Sequence, residues 1–165
     1  MAGDPFDRFV AAVDHAMVAV TVADGDGRPA GCLVGFHTQV SIDPPRYMVC
    51  LSSANHTYSV AREADVLAVH LLGAGDAALA RVLGGETEDE DPRKFTRVRW
   101  SPHPRFGTPV LDGPSCWLLG QVRERVDAGD HVMFVLSPLE ARAPQEPPEP
   151  LRLDDASSIE PGHPS

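Results

Sequence analysis

Cys116-Trp117-Leu118-Leu119-Gly120-Gln121-Val122-Arg123-Glu124-Arg125-Val126, then Asp127-Ala128-Gly129-Asp130, then His131-Val132-Met133-Phe134-Val135-Leu136, is the stretch from which the fold is read. The two outer runs are apolar and β-branched with imperfect alternation, and the four residues between them are turn formers, so the segment predicts a β-hairpin. His131 stands one step past the turn. Its backbone can join the ladder there while its imidazole faces the mouth of the sheet, which makes it the first candidate functional residue. Working outward, residues 17–23 form a β-branched run, Asp24-Gly25-Asp26-Gly27 supplies turn chemistry, and one strand is expected across 29–40. Residues 46–51 read as a strand and 66–72 as a strand buried on both faces. Three short helices are expected between them. Pro5 follows Asp4 at a first helical position, with Phe6, Phe9, Val10 and Val13 on one apolar face that would pack on a sheet. Asn55 can cap a helix running to Glu63, and Asp76 one running to Leu83 before Gly84-Gly85. Residues 94–100 resume structure, and Pro109-Val110-Leu111-Asp112-Gly113 leads into the hairpin. The chain is therefore mostly β with short helices, and antiparallel strands with a crossover or two suggest a closed or split barrel.

Upstream of the hairpin lies Gly35-Phe36-His37-Thr38-Gln39-Val40-Ser41-Ile42-Asp43-Pro44-Pro45-Arg46-Tyr47-Met48-Val49-Cys50-Leu51, followed by Asn55-His56-Thr57. Together with Gly129-Asp130-His131, this combination resembles the flavin reductase family, the FMN-binding split β-barrels, over nearly the whole chain. The resemblance implies an NAD(P)H-dependent flavin reductase, with FMN as the flavin or FAD in its place, and NADH or NADPH as reductant. It implies a homodimer and the reductase component of a two-component monooxygenase, with an oxygenase partner. It places the flavin ring edge at Thr38, Gln39, Val40 and Ser41, the flavin phosphate at Asn55, His56 and Thr57, and the nicotinamide at His131. Lys94 and Phe95 stand where the family often has a basic residue and a phenylalanine near the cofactor. The chain departs from the family at Gly35-Phe36-His37 and at Gln39, where small or hydroxyl residues are usual, so the flavin pocket is expected to be reshaped. Other readings stay open: a deazaflavin-using oxidoreductase, a non-catalytic FMN-binding protein of the same fold, or an interaction module.

At 165 residues, 42% hydrophobic and 23% charged, the chain suits one globular core and has no apolar run long enough to span a membrane. A formal net charge of −10 argues against nucleic acid as a partner and requires that any phosphate be held by local donors. Cys32, Cys50 and Cys116 sit far apart in apolar runs, as buried thiols of a reducing compartment do. Met1-Ala2-Gly3-Asp4-Pro5 carries no secretory pattern, so a cytoplasmic protein is expected. The run Glu86-Thr87-Glu88-Asp89-Glu90-Asp91 reads as a solvated loop. Residues 1–142 form the expected domain. Residues 143–165 form a proline-rich extended arm, in which Leu151, Leu153 and Ile159 can pack back on the barrel.

Gly73-Ala74-Gly75-Asp76-Ala77-Ala78 imitates a dinucleotide fingerprint, but no acid-ended second strand follows about twenty residues on and Asp76 would oppose a pyrophosphate. A reductant is therefore expected to stack on the flavin itself. The histidine spacings fit no zinc motif, and Ser41 and Thr57 stand in no nucleophile elbow, so neither a metal site nor a hydrolase is expected. His15 and His70 read as structural, and Trp100 and Trp117 as core or interface.

Overall fold

A computed structural model describes residues 3–85 and 92–159. Its strands are β1 Val18–Ala23, β2 Pro29–Val34, β3 His37–Ser41, β4 Arg46–Ser52, β5 Val66–Leu71, β6 Trp100–Pro102, β7 Pro109–Leu111, β8 Cys116–Asp127 and β9 His131–Arg142. Among the described residues, seven of them form one antiparallel sheet in the order β2-β1-β5-β8-β9-β4-β3, and β6 pairs with β7 as a separate ribbon. The outermost strands, β2 and β3, are consecutive in the chain, with only Gly35 and Phe36 between Val34 and His37. The sheet must therefore curl until its two edges meet at that corner. No ladder joins β2 to β3, which makes the fold a split β-barrel.

The single strand expected over 29–40 is thus two strands, because the chain uses Gly35-Phe36 to pass from one edge of the sheet to the other. The hairpin β8–β9 is also longer than its apolar pattern suggests. Pairing runs from Asp127–Val132 to Trp117–Arg142, so polar residues such as Glu140 are held in register by the ladder rather than by burial. Gly129, at φ +112°, supplies the left-handed backbone that the Ala128-Gly129-Asp130 turn needs.

Two cores flank the sheet. Inside the barrel, Val18, Val20 and Val22 of β1 meet Cys32 and Val34 of β2, Val49 and Leu51 of β4, and Phe134 and Leu136 of β9. The opposite face of β1 and β2 is covered by Leu72, Leu83, Phe95, Leu111 and Leu151, so β1 is buried on both faces. Gly31 permits this close cover: a Cβ there would lie 2.9 Å from Cζ of Phe95. His70, fully buried, ties the layers together. Its Nδ1 donates to the Ala19 carbonyl at 3.3 Å and its Nε2 accepts from Leu111 N–H at 3.0 Å.

The helices are α1 Pro5–Val13, α2 His56–Ala61 and α3 Ala77–Gly84. Asp4 caps α1, accepting from Phe6 N–H at 2.8 Å, but no residue of α1 is buried. Phe6 and Phe9 are 69% and 68% exposed, so within one chain this helix does not bury the apolar face expected to pack on the sheet. Asn55 caps α2 as expected, though the helix ends at Ala61 rather than Glu63. Asp76 stands at the N-cap of α3 as expected, but its side chain makes no cap bond there: the carboxylate accepts from Gly73 N–H at 2.8 Å and closes the 3₁₀ turn Ala74–Asp76 instead. The carboxylate therefore occupies the loop where a dinucleotide fingerprint would hold pyrophosphate.

The C-terminal arm returns to the barrel. Leu151 donates to Leu72 O at 2.8 Å and accepts from Met17 N–H at 2.7 Å, while Leu153 donates to His15 O at 2.8 Å. Leu151 is 4% exposed and seals the second core where β1 and β5 diverge. The acidic run 86–91 lies outside the described residues. Among the described residues, no helix is long and apolar enough to cross a membrane.

Candidate flavin site

The sheet's register brings the separated sequence segments to one end of β4. Cys50 N–H donates to Phe36 O at 2.9 Å, joining the start of β3 to the end of β4. Ser52 pairs with His131, and Ser53 N–H and Oγ both reach Asp130 O, at 2.9 and 3.0 Å. The Phe36 and His131 rings lie 5.1 Å apart at 58°. Asp130 Oδ1 accepts from His131 Nδ1 at 2.7 Å, and this hydrogen bond, with the imidazole's charge, holds the Asp130 carboxyl below the usual carboxylate range.

The turn entering α2 joins the same end. Asn55 Oδ1 accepts from Thr57 N–H at 2.8 Å, and Asn55 O from Tyr58 N–H at 3.0 Å. Thr57 is only 2% exposed, so it lies beneath the turn rather than facing a ligand. Several backbone donors here are already engaged: Ser53 N–H by Asp130, Asn55 N–H by Ser52, Thr57 N–H by Asn55. The polar groups left on the surface are those of Ser53 and His56, with Ser52 and Asn55 half-exposed.

From this end, β3 runs away along β4. Thr38 pairs with Met48, Gln39 with Tyr47 and Ser41 with Arg46, with a register shift between Gln39 and Ser41. Thr38, Gln39 and Val40 are exposed, and an open cleft of about 560 Å³ is lined by Gln39, Val40, Ser41, Ile42 and Asp43. Beneath β3, His37 Nε2 donates to Ala16 O at 2.5 Å while its Nδ1 accepts from Tyr47 Oη at 2.6 Å. Burial pushes the His37 pKa down and that of Tyr47 up, so both are neutral anchors of this strand.

Phe95 stands apart from this assembly. Phe95 is 8% exposed, packs on Gly31 and meets Trp100 edge-on at 6.2 Å in the second core. The outer face of β2 needs a large apolar cover, and Phe95 provides it; Lys94 sits beside it on the 3₁₀ turn Pro92–Thr96. Another open cleft of about 560 Å³, against α3, is lined in part by Asp76, Arg97, Arg99 and Asp112 and shares no residue with the site. Ser52 and Ser53 join the site without a sequence signal beyond a pair of hydroxyls just before the Asn55 cap, and the Phe36–His131 contact has none, since only the β3–β4–β9 register creates it.

The site thus joins the Phe36 and His131 rings and the polar turn before α2 at one end of β4 to the exposed polar run of β3, on a split β-barrel. The family model described as "Flavin reductase like domain" matches residues 12–158, and the chain belongs to that family. It is 30% identical over 120 residues to the stachydrine N-demethylase reductase subunit Stc3 of Rhizobium meliloti (strain 1021), covering 73% of this chain and 50% of that protein. It is 27% identical over 154 residues to a flavin reductase (NADH) of Kitasatospora aureofaciens, covering 90% of this chain and 76% of that one. Among solved structures, the NADH:FAD oxidoreductase SgcE6 of Streptomyces globisporus C-1027 superposes with a TM-score of 0.74 at 25% identity, over 88% of each chain. The chain spans only about half the length of the first of these relatives.

Proposed function

We propose that this protein is an NAD(P)H-dependent flavin reductase that uses FMN, or FAD in its place, and delivers reduced flavin to a separate oxygenase. The single observation that carries the reading is the convergence of the start of β3, the α2 cap turn and His131 at one end of β4. The donor set suits a flavin. A flat heteroaromatic ring meets apolar and thioether surface at Phe36 and Met48, with Thr38, Gln39 and Ser41 along its edge. Ser52, Asn55 and His56 offer donors to a phosphate at one end, and local donors are what a chain of net charge −10 requires. The relatives' names support the chemistry: one is a reductase subunit of a demethylase, another reduces flavin with NADH.

When bound, the flavin supplies the hydride acceptor and carries the electrons onward. The residues position the partners. Polar groups from Thr38 to Ser41 steady the ring edge as it gains negative charge. His131 orients the nicotinamide over the ring, and Phe36 walls the site on the β3 side.

We infer that the working unit is a homodimer. Val49, Leu51, Val132, Phe134 and Leu136 point into the barrel, so the alternate residues Met48, Cys50, Met133 and Val135 point outward, half-exposed. Phe36 and Val126 are 50% and 40% exposed, and Val126 pairs with Met133, which extends the same apolar face. A face of this kind is suited to a second copy, which would also cover the flavin strip. Free thiols at Cys32, Cys50 and Cys116 suit a cytoplasmic protein.

The decisive experiment is anaerobic absorbance spectroscopy of the purified protein with FMN or FAD, then NADH or NADPH. Bleaching of the flavin band at a rate that depends on the protein is expected. No acceleration with any of the four combinations would overturn the reading, and bound flavin that is never reduced would favour a non-catalytic flavin carrier.

A further inference from the structure

The imidazoles of this chain are assigned to tautomers by their partners, since a carbonyl or carboxylate oxygen only accepts and a backbone N–H only donates. His37 carries its proton on Nε2, facing Ala16 O, and His103 also on Nε2, facing Glu140 at 3.2 Å while Nδ1 accepts from Arg105 N–H at 3.3 Å. His70 carries it on Nδ1, toward Ala19 O. His131 sits with Nδ1 2.7 Å from Asp130 Oδ1. The Asp130 backbone is fixed independently, because its carbonyl accepts from both Ser53 N–H and Ser53 Oγ. The Phe36 ring then limits rotation of the imidazole from the other side.

Resting on the reductase reading above, we propose that Asp130 is a positioning residue: it fixes His131 as the Nδ1–H tautomer, so that Nε2 faces the site as a hydrogen-bond acceptor. The reductant's complementary group is a donor, and a nicotinamide offers one in its carboxamide N–H. A histidine in the other tautomer would present a donor there and select the carboxamide oxygen, turning the amide over. The pair therefore sets which way the nicotinamide lies, and Asp130 acts without touching it. Because the Asp130 side chain is 75% exposed and the backbone contacts to Ser53 do not involve it, its replacement leaves the hairpin intact.

The test joins spectroscopy to kinetics. Long-range proton–nitrogen correlation spectra of the full chain should show His131 as Nδ1–H and His37 as Nε2–H, the second serving as internal reference. Asp130→Ala should shift His131 toward the other tautomer and raise KM for NADH or NADPH roughly three- to tenfold, the loss of one oriented hydrogen bond, with kcat and flavin KM unchanged. Asp130→Glu, which keeps an acceptor-only carboxylate, should restore the tautomer and recover most of the KM. A wild-type His131 found as Nε2–H, or an Asp130→Ala protein with unaltered KM, would overturn the proposal. If the wild type oxidises neither reductant with either flavin, the reductase reading and the nicotinamide end fail together, while the spectra still decide the Asp130–His131 pair.

Discussion

His131 and His70 carry the same side chain to opposite ends. His131 stands at a strand start with its ring half in solvent, where it can meet a ligand; replacing it with Ala should raise KM for the reductant roughly ten- to a hundredfold while flavin affinity barely changes, measured by steady-state kinetics and fluorescence titration. Loss of flavin binding in that variant would move His131 into the flavin pocket. His70 is buried between sheet and ribbon with both nitrogens committed, and burial drives its pKa from the ordinary 6.5 down to about 4. The unfolded chain therefore takes up a proton over that interval and the folded one does not. The resulting stability is complete above about pH 6.5 and is lost as pH falls towards 4, by on the order of 3 kcal/mol in total. Urea midpoints should fall between pH 7 and pH 4.5, and His70→Gln should flatten that slope; a slope unchanged in the variant would assign it to other groups, of which His37, also lowered by burial, is the first candidate.

At the scale of elements, the arm and the α2 turn show structure made by few contacts. Leu151 bridges Met17 and Leu72 through its own backbone and fills the second core with its side chain. Leu151→Ala keeps the backbone bridge but leaves a cavity, so a loss of about 2–4 kcal/mol is expected, or roughly 5–15 °C in Tm by calorimetry. An unchanged Tm would mean that the arm adds nothing to the barrel. The α2 turn depends on one cap. Asn55→Ala removes the acceptor for Thr57 N–H and should cost about 1 kcal/mol. It should also weaken flavin binding, because the Ser52–His56 turn presents its polar groups only while folded; urea titration and flavin titration of the same variant separate the two effects.

For the whole molecule, the outward apolar face of β3, β4, β8 and β9 is a feature that one chain leaves unsatisfied, and the apolar stripe of α1 is another. Sedimentation should show a dimer at micromolar concentration. Val126→Asp, which puts a charge among Met133 and its neighbours, should convert it to monomer and weaken flavin binding, because the cover over the strip goes with the partner. A Val126→Asp protein that remains dimeric would place the interface elsewhere.

The local signals sufficed for most elements. Gly129 between two β-branched runs, Asn55 before a helical turn and Asp4 before Pro5 each act through neighbours in the chain, and each does in the structure what its chemistry requires. Residues 66–72 read as a two-sided strand because β5 is covered from both sides. What sequence could not show was closure. Whether 29–40 was one strand or two depended on where β2 and β3 stood in the sheet, a matter of pairing across the whole barrel that leaves little trace at Gly35-Phe36. The same holds for Phe95, which carries the family's pattern but faces Gly31, and for Phe36 beside His131, ninety-odd residues apart in sequence and brought together only by the register of β3, β4 and β9. Turns and caps are settled by a few dihedrals and one hydrogen bond, so residue type decides them; side-chain neighbours across a sheet are settled by register, which only the cooperative fold selects.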